Sequence, residues 1–375
     1  MTHLPASLAS ALESFAGHVA NGAAATDESG EFPVAIAGEF LASGLGGLIS
    51  AAPIGGSGCG LREASAVVER IARECGSTAM IATMHYAGAA AIEALGSDQA
   101  RRAIATGAAL TTLAFSEFGS RSHFWAPLST ARRDDGEVVL DAKKSWVTSA
   151  GHADLYVWSS QGSAGQGSSI WLVPRRTDGI ATAAPFDGMG LRGNDSAPVT
   201  ASGARVPAAN LLGEDGKGAD IMLGTILPVF SVLNASAALG LMAGAVARTV
   251  AHVSGTGFAH LGQQLSGFPT IRAYLARMQL KTDMVRALIA ETVASLEAPS
   301  EATMLRVLEA KAAAGETATE VTDLAMRVCG GQAFRKEIGV ERYFRDARAM
   351  TVMAPTTDQL YDFIGRALCG IDLFA

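Results

Sequence analysis

From Ile221 to Ala247 the chain runs without one charged side chain, a stretch long enough to cross a bilayer. Such a segment either lies in lipid or forms the central helix of an interior large enough to surround it. Pro228 interrupts it, and Ser231, Asn234 and Ser236 are set into it. Much of the remainder is Ala and Gly, which gain little on transfer to hydrocarbon. We therefore read it as a buried helix within a large helical core, with no membrane insertion. The 375 residues, 49% apolar and 17% charged, exclude disorder as the main state. Their number predicts two to three domains or one large fold. Thirty-six acidic against 29 basic residues give a net charge of −7, with no Lys/Arg cluster. That balance argues against a nucleic-acid partner. Cys59, Cys75, Cys329 and Cys369 are scattered without CxxC spacing, so neither a metal site nor a disulfide framework is expected. A reducing, cytoplasmic setting follows as an expectation. No Lys or Arg precedes the apolar part of the first twenty residues, which does not fit a secretory signal.

The hydrophobic period changes twice along the chain. From Leu8 to about Thr111 apolar residues recur at helical spacing, with loops expected at Thr26 to Gly30 and Ala51 to Gly60. Around Leu113 the period shortens. Glu137–Asp141, Asp154–Ser159, Ser169–Val173 and Pro198–Ser202 read as strands, separated by Gly/Asp/Pro clusters. Beyond Gly218 long helices return, at roughly 219–254, 268–296, 300–331 and 357–368, and Gly330–Gly331 stops the third. The expected organisation is α+β: a helical domain at 1–112, a β domain at 113–218 and a helical bundle at 219–375.

Three motifs lie in the strand module: LAFSEFGS (113–120), KKSWVTSAGHAD (143–154) and MGLRGNDSAPVTASGARVPAANLLGEDGKG (189–218). A fourth, CGGQAFRKEIGVERYFRDAR (329–348), follows near the end. Together, in this order, they resemble the acyl-CoA dehydrogenase superfamily of flavoproteins across nearly the whole chain. The resemblance implies an N-terminal helical domain, a barrel-like β domain and a C-terminal helical bundle. It implies FAD as cofactor, an acyl thioester on CoA or a carrier protein as substrate, an electron acceptor it does not identify, and a tetramer. An isoalloxazine ring needs an aromatic or apolar wall and hydrogen bonds to its polar edge, which tune its electron affinity. By resemblance Phe115, Ser116, Ser122, Trp146, Thr148 and Ser149 form that wall and edge. Arg327, Gly330, Gly331, Thr356 and Asp358 fall where the family meets more distant parts of the cofactor. Arg121, Phe230 and Met353 fall on the substrate side. Read without the resemblance, Trp146 is a core aromatic; the resemblance reverses that reading. Arg192 and the Arg345–Asp346 pair read as structural.

Two departures from the family stand out. The family's reaction removes a Cα proton with a carboxylate on the face of the substrate opposite the flavin. At its two usual positions this chain has Ala354 and Phe230. Ala354 still offers a backbone N–H to a thioester carbonyl. Asp358, His85 and His123 are candidate bases, set against blander readings: Asp358 as a solvated helix-N-terminal acid, the histidines as structural residues. Glu117 matches a Glu of ordinary members and is no substitute. The second departure is Phe258, which replaces an Arg that commonly binds the pyrophosphate of a neighbouring subunit's FAD, while Arg327 is a gained cation. Three functions remain open: an FAD enzyme on an acyl thioester with a displaced base, a base-lacking subunit paired with a catalytic homologue, and a flavin monooxygenase-like relative. Both a homotetramer and a heterotetramer are compatible with them.

Overall fold

The computed structural model describes residues 4–120 and 123–372. Five helices come first: α1 (Ala6–Ser29), α2 (Val34–Ala42), α3 (Leu61–Ala72), α4 (Gly76–Leu95) and α5 (Asp98–Ala105). The expected loop at Thr26 to Gly30 is instead the last turn of α1, which Gly30 closes in the left-handed conformation. Thr26 and Asp27 read as loop formers, but their backbones are held by helix bonds and Asp27 is spent on a tertiary contact described below.

Eight strands follow: β1 (Thr111–Ala114), β2 (Thr130–Asp134), β3 (Glu137–Val147), β4 (Leu155–Gln161), β5 (Ser168–Pro174), β6 (Ile180–Thr182), β7 (Ala197–Pro207) and β8 (Leu211–Leu212). They make two four-stranded sheets, ordered β1-β4-β5-β8 and β2-β3-β7-β6. The β1–β4 pair is parallel and the other pairings are antiparallel. Leu140 and Val199 from one sheet and Tyr156, Trp158 and Trp171 from the other share one apolar interior.

The last third is helical. Helix α6 (Gly218–Ile221) runs through one π turn (Met222–Ile226) into α7 (Leu227–Gly255); α8 (Pro269–Glu297), α9 (Thr303–Cys329), α10 (Val340–Val352) and α11 (Thr357–Cys369) complete it. Pro228 has no N–H for the Gly224 carbonyl, and the backbone widens just before it. Helix α10 was not among the helices expected from the sequence. Its inward stripe is Val340, Tyr343, Ala347 and Met350, but Arg342 and Asp346 are buried with it and mask the apolar period.

The uncharged segment is the buried centre of the bundle. Helix α7 packs against α3, α4, α8, α9 and α10, and little of it reaches the surface. Its polar residues are ties within the interior: Ser236 donates to the Val232 carbonyl and meets Ser65 at 2.7 Å, and Asn234 lies against the Met353 sulfur. Close crossing requires small residues. A Cβ on Gly240 would stand 2.3 Å from the Glu69 carbonyl oxygen of α3, which is backbone and cannot swing aside. We expect Gly240→Ala to lower stability by about 1–3 kcal/mol, the usual cost of overpacking, read from the urea midpoint.

Candidate active site

A cavity of about 650 Å³ opens where the three parts of the chain meet. Helix α4 contributes Met80 and Met84, the turn after β1 contributes Phe115 to Gly119, and β3 with its exit contributes Ser145, Trp146 and Thr148. The corner before β7 adds Phe186, Asn194 and Ser196; α7 adds Leu227 and Phe230; the end of α10 adds Met353 and Ala354. Its lining combines the apolar side chains of Met80, Met84, Leu113, Phe124, Leu227 and Phe230 with the hydroxyls and amide of Ser116, Thr148, Asn194 and Ser196.

Trp146 is placed by a break in the sheet. The β3–β7 register shifts between Lys144 and Val147, and Trp146 takes a left-handed backbone (φ 54°). That conformation is unfavourable for a bulky residue and persists only where the surroundings impose it. The bulge leaves the indole 61% exposed, against Phe186 with ring centroids 4.1 Å apart. A Trp held at the surface of a cavity beside hydroxyl donors fits a flat heteroaromatic group with a polar edge, and flavin has that shape.

The turn carrying Ser116 rests on a buried ion pair. Glu117 and Lys144 meet at 2.5 Å with both side chains out of solvent. The second Glu117 oxygen accepts the N–H groups of Leu128 and Ser129, and the first also takes the Ser129 hydroxyl. Lys144 donates further to the Ser159 carbonyl and hydroxyl. Burial pulls the Lys144 amine down to about 8, with Glu117 opposing it. Ser145 N–H to Ser116 O (2.8 Å) and Phe118 N–H to Lys143 O (3.1 Å) then lock the turn to β3.

A second buried lysine stands behind the far wall. Lys311 of α9 is fully enclosed and donates to the carbonyls of Met353 (3.0 Å) and Pro355 (2.7 Å). Burial alone brings its amine down to about 7.

All three domains of an acyl-CoA dehydrogenase match this chain: the N-terminal domain over residues 6–109, the middle domain over 112–203 and the C-terminal domain over 216–369. The chain belongs to the acyl-CoA dehydrogenase family. It is 30% identical to a probable acyl-CoA dehydrogenase of Bacillus subtilis over 341 residues, 88% of this chain and 89% of that one. It is 29% identical to the cyclohex-1-ene-1-carbonyl-CoA dehydrogenase of Syntrophus aciditrophicus, over 91% of this chain and 84% of that one. In structure it is similar to the butyryl-CoA dehydrogenase of Megasphaera elsdenii, with a TM-score of 0.91 and 23% identity over 98% of this chain and 100% of that one. The protein is an oxidoreductase of the acyl-CoA dehydrogenase type.

Against this family background the predicted site residues divide. Phe115, Ser116, Trp146, Thr148, Phe230, Met353 and Ala354 all line the cavity. Ser149 is buried beside it and gives its N–H to the Asn194 carbonyl. Arg327 lies at the end of α9 over the Tyr274 ring, and Gly330 and Gly331 follow it. Thr356 caps α11 by accepting the Gln359 N–H, and Asp358 is exposed in that helix's first turn. None of these five lines the cavity of the single chain. Arg121 and Ser122 lie outside the described residues.

His85 does not turn toward the cavity. On α4 its neighbour Met84 faces in, whereas His85 donates Nε2–H to the Gly46 carbonyl and accepts the Thr111 N–H at Nδ1. Burial lowers its pKa to about 4, so it is a neutral core residue with both nitrogens in use. His123 is exposed and packs edge-on against Trp125. Among the described residues the one ionisable side chain lining the cavity is Glu117, whose oxygens are filled as above. The sequence reading missed Phe186, Ser196 and the two methionines of α4. The helical period of α4 was the available signal for Met80 and Met84; nothing local pointed to Phe186.

Lys144→Met strips Glu117 of its partner, and a loss of about 3–5 kcal/mol is expected by chemical denaturation, largely restored in Lys144→Met/Glu117→Gln. Lys311 predicts a pH dependence of stability. Below pH 7 folded and unfolded chains both hold the proton, and the burial penalty is felt in full. Between about 7 and the ordinary lysine value of 10.5 the unfolded chain binds more protons, so this contribution makes stability rise with pH. The difference in melting temperature between wild type and Lys311→Met should therefore change across that window in favour of wild type as pH increases.

Proposed function

We propose that the protein binds FAD and acts on an acyl thioester with an uncharged, apolar acyl group, carried by CoA or a carrier protein. The observation that carries this reading is the mixed lining of the cavity. An exposed indole and four polar side chains share it with methionine, leucine and phenylalanine. Flavin, when bound, supplies a two-electron acceptor. Trp146 would cover its ring, and Ser116 and Thr148 would bond its polar edge. The apolar side chains would hold the acyl chain and exclude water, and the Ala354 N–H would take the thioester carbonyl. The names of the relatives support the substrate class, since those relatives act on CoA thioesters.

The cavity lining bears on the reaction. Neither Ala354 nor Phe230 supplies a carboxylate, and His85 is occupied. Loss of CO2 from Cα would leave the bonding pair on carbon as loss of a proton does and needs no base at those positions, but it requires a carboxylate that an uncharged acyl group lacks; oxygenation needs no α-proton base either. The same observation favours a second reading, a base-lacking subunit that assembles with a catalytic homologue. In a homotetramer or such a heterotetramer, Arg327, Gly330, Gly331, Thr356 and Asp358 would meet a neighbour's cofactor. A cytoplasmic setting suits both readings.

The test is the visible spectrum of the protein purified alone, followed without oxygen as straight-chain acyl-CoAs and acyl carrier proteins are added. Oxidised-flavin bands that bleach with a thioester support the first reading; failure to take up FAD without a partner supports the second. Trp146→Ala should lower the flavin-to-protein absorbance ratio while the fold persists, because the indole is 61% exposed and little core is lost. Arg327→Gln should likewise weaken FAD retention, and unchanged occupancy would remove Arg327 from the cofactor site.

A further inference from the structure

Lys311 is a buried amine with nothing acidic to meet. Its side chain is fully enclosed, and among the described residues no carboxylate lies within ion-pair distance. An isolated buried lysine is expensive, and an apolar residue of similar volume would serve packing better. What the amine does contact is specific. It donates to the carbonyls of Met353 and Pro355, the two residues that bracket Ala354. Those bonds span the short connection between α10 and α11. One turn along α9, Gly315 lets the end of α10 approach, since a Cβ there would stand 3.3 Å from the Met350 carbonyl oxygen. Helix α9 thus grips the connection at successive points. On the other side of it, Met353 and Ala354 line the cavity, as does Phe230, whose ring centroid is 5.9 Å from the Lys311 amine. Among the described residues the Ala354 N–H donates to no protein acceptor.

We propose that Lys311 is a positioning residue: by holding the carbonyls on either side of Ala354 it keeps the Ala354 N–H presented to the carbonyl of an acyl thioester in the cavity. This rests on the thioester reading above. A connection without regular structure has soft dihedrals, and a hydrogen-bond donor must be held to within a fraction of an ångström to polarise a carbonyl. In this protein the side chain of residue 354 is a methyl group that contributes no hydrogen bond of its own, so the backbone must be fixed from behind. A buried amine with two donors directed at two carbonyls does that. Burial lowers its pKa to about 7, and the protonated and neutral amines alike keep both donors.

The test is the infrared carbonyl band of a bound acyl-CoA, isotope-labelled at the thioester carbon, using the chain length that binds most tightly in the series above. In wild type the band should lie below that of the free thioester. In Lys311→Met, which keeps volume and removes both donors, it should return toward the free value while flavin content is unchanged. Where turnover is measurable, kcat should fall by about 10²-fold, with KM moving far less. Lys311→Gln, whose amide can reach one carbonyl, should recover part of the shift, and it stands as the test should the Met variant not fold. A merely structural lysine would alter melting temperature and leave the band in place. A shifted wild-type band that both variants preserve overturns the positioning role and leaves the thioester reading standing. Wild-type protein that binds no acyl thioester overturns both.

Discussion

Three stretches far apart in sequence are joined by the charge cluster around Asp27, and the cavity exists because they are. Arg345 of α10 grips the Asp27 carboxylate at the end of α1 through two nitrogens, at 2.9 and 2.5 Å, and donates to the Met189 carbonyl as well. Its neighbour Asp346 accepts the Leu191 N–H at 2.6 Å, and Arg192 reaches back to the Asp27 carbonyl at 2.7 Å. Gly193 donates to Ser77 of α4. One residue after another of the corner 189–193 is thereby tied to either the first or the last helical region. Gly190 and Leu191 line the cavity, so the same bonds that dock the β domain set the cavity's rim.

Burial gives this junction its rigidity. Asp346 is enclosed, and desolvation raises its carboxyl to about 6 against the opposing pull of the Leu191 N–H and two arginines. Arg345, fixed by two carboxylates, is held above its ordinary value. A Cβ on Gly190 would stand 2.5 Å from the Arg345 carbonyl oxygen, and one on Gly76 would stand 2.7 Å from the Asp346 carboxylate. The junction therefore has no slack for the β domain to slide. The two buried lysines extend the same logic around the cavity. Lys144 steadies the turn carrying Ser116, and Lys311 steadies the connection at Ala354 from behind. Each is sunk in the interior and spent on backbone, directly or through Glu117.

Much of this was legible from residue patterns. The switch from a period near four to alternation around Leu113, and back after Gly218, marked where strands begin and end. The uncharged run announced the central helix. Family motifs pointed to Trp146, Thr148, Ser116 and Ala354, which the cavity brings together. Helix α10 escaped because Arg342 and Asp346 sit on its buried face, and pattern reading assumes that charge faces water. The end of α1 escaped because Thr and Asp favour turns unless something holds them in a helix; here Arg345 and Arg192 take hold of Asp27.

Local chemistry thus determined the order of elements, the family and the aromatic and hydroxyl residues of the cavity, since each depends on periodicity or on a contiguous motif. Which way each side chain points was decided only by tertiary structure. His85 and Met84 are adjacent on one helix, yet Met84 meets the cavity while His85 is consumed by Gly46 and Thr111 on another face. Nothing in the string of letters marks Lys144 or Lys311 as buried. Their roles arise because packing removes them from water, and a buried amine must find acceptors wherever the fold has placed them.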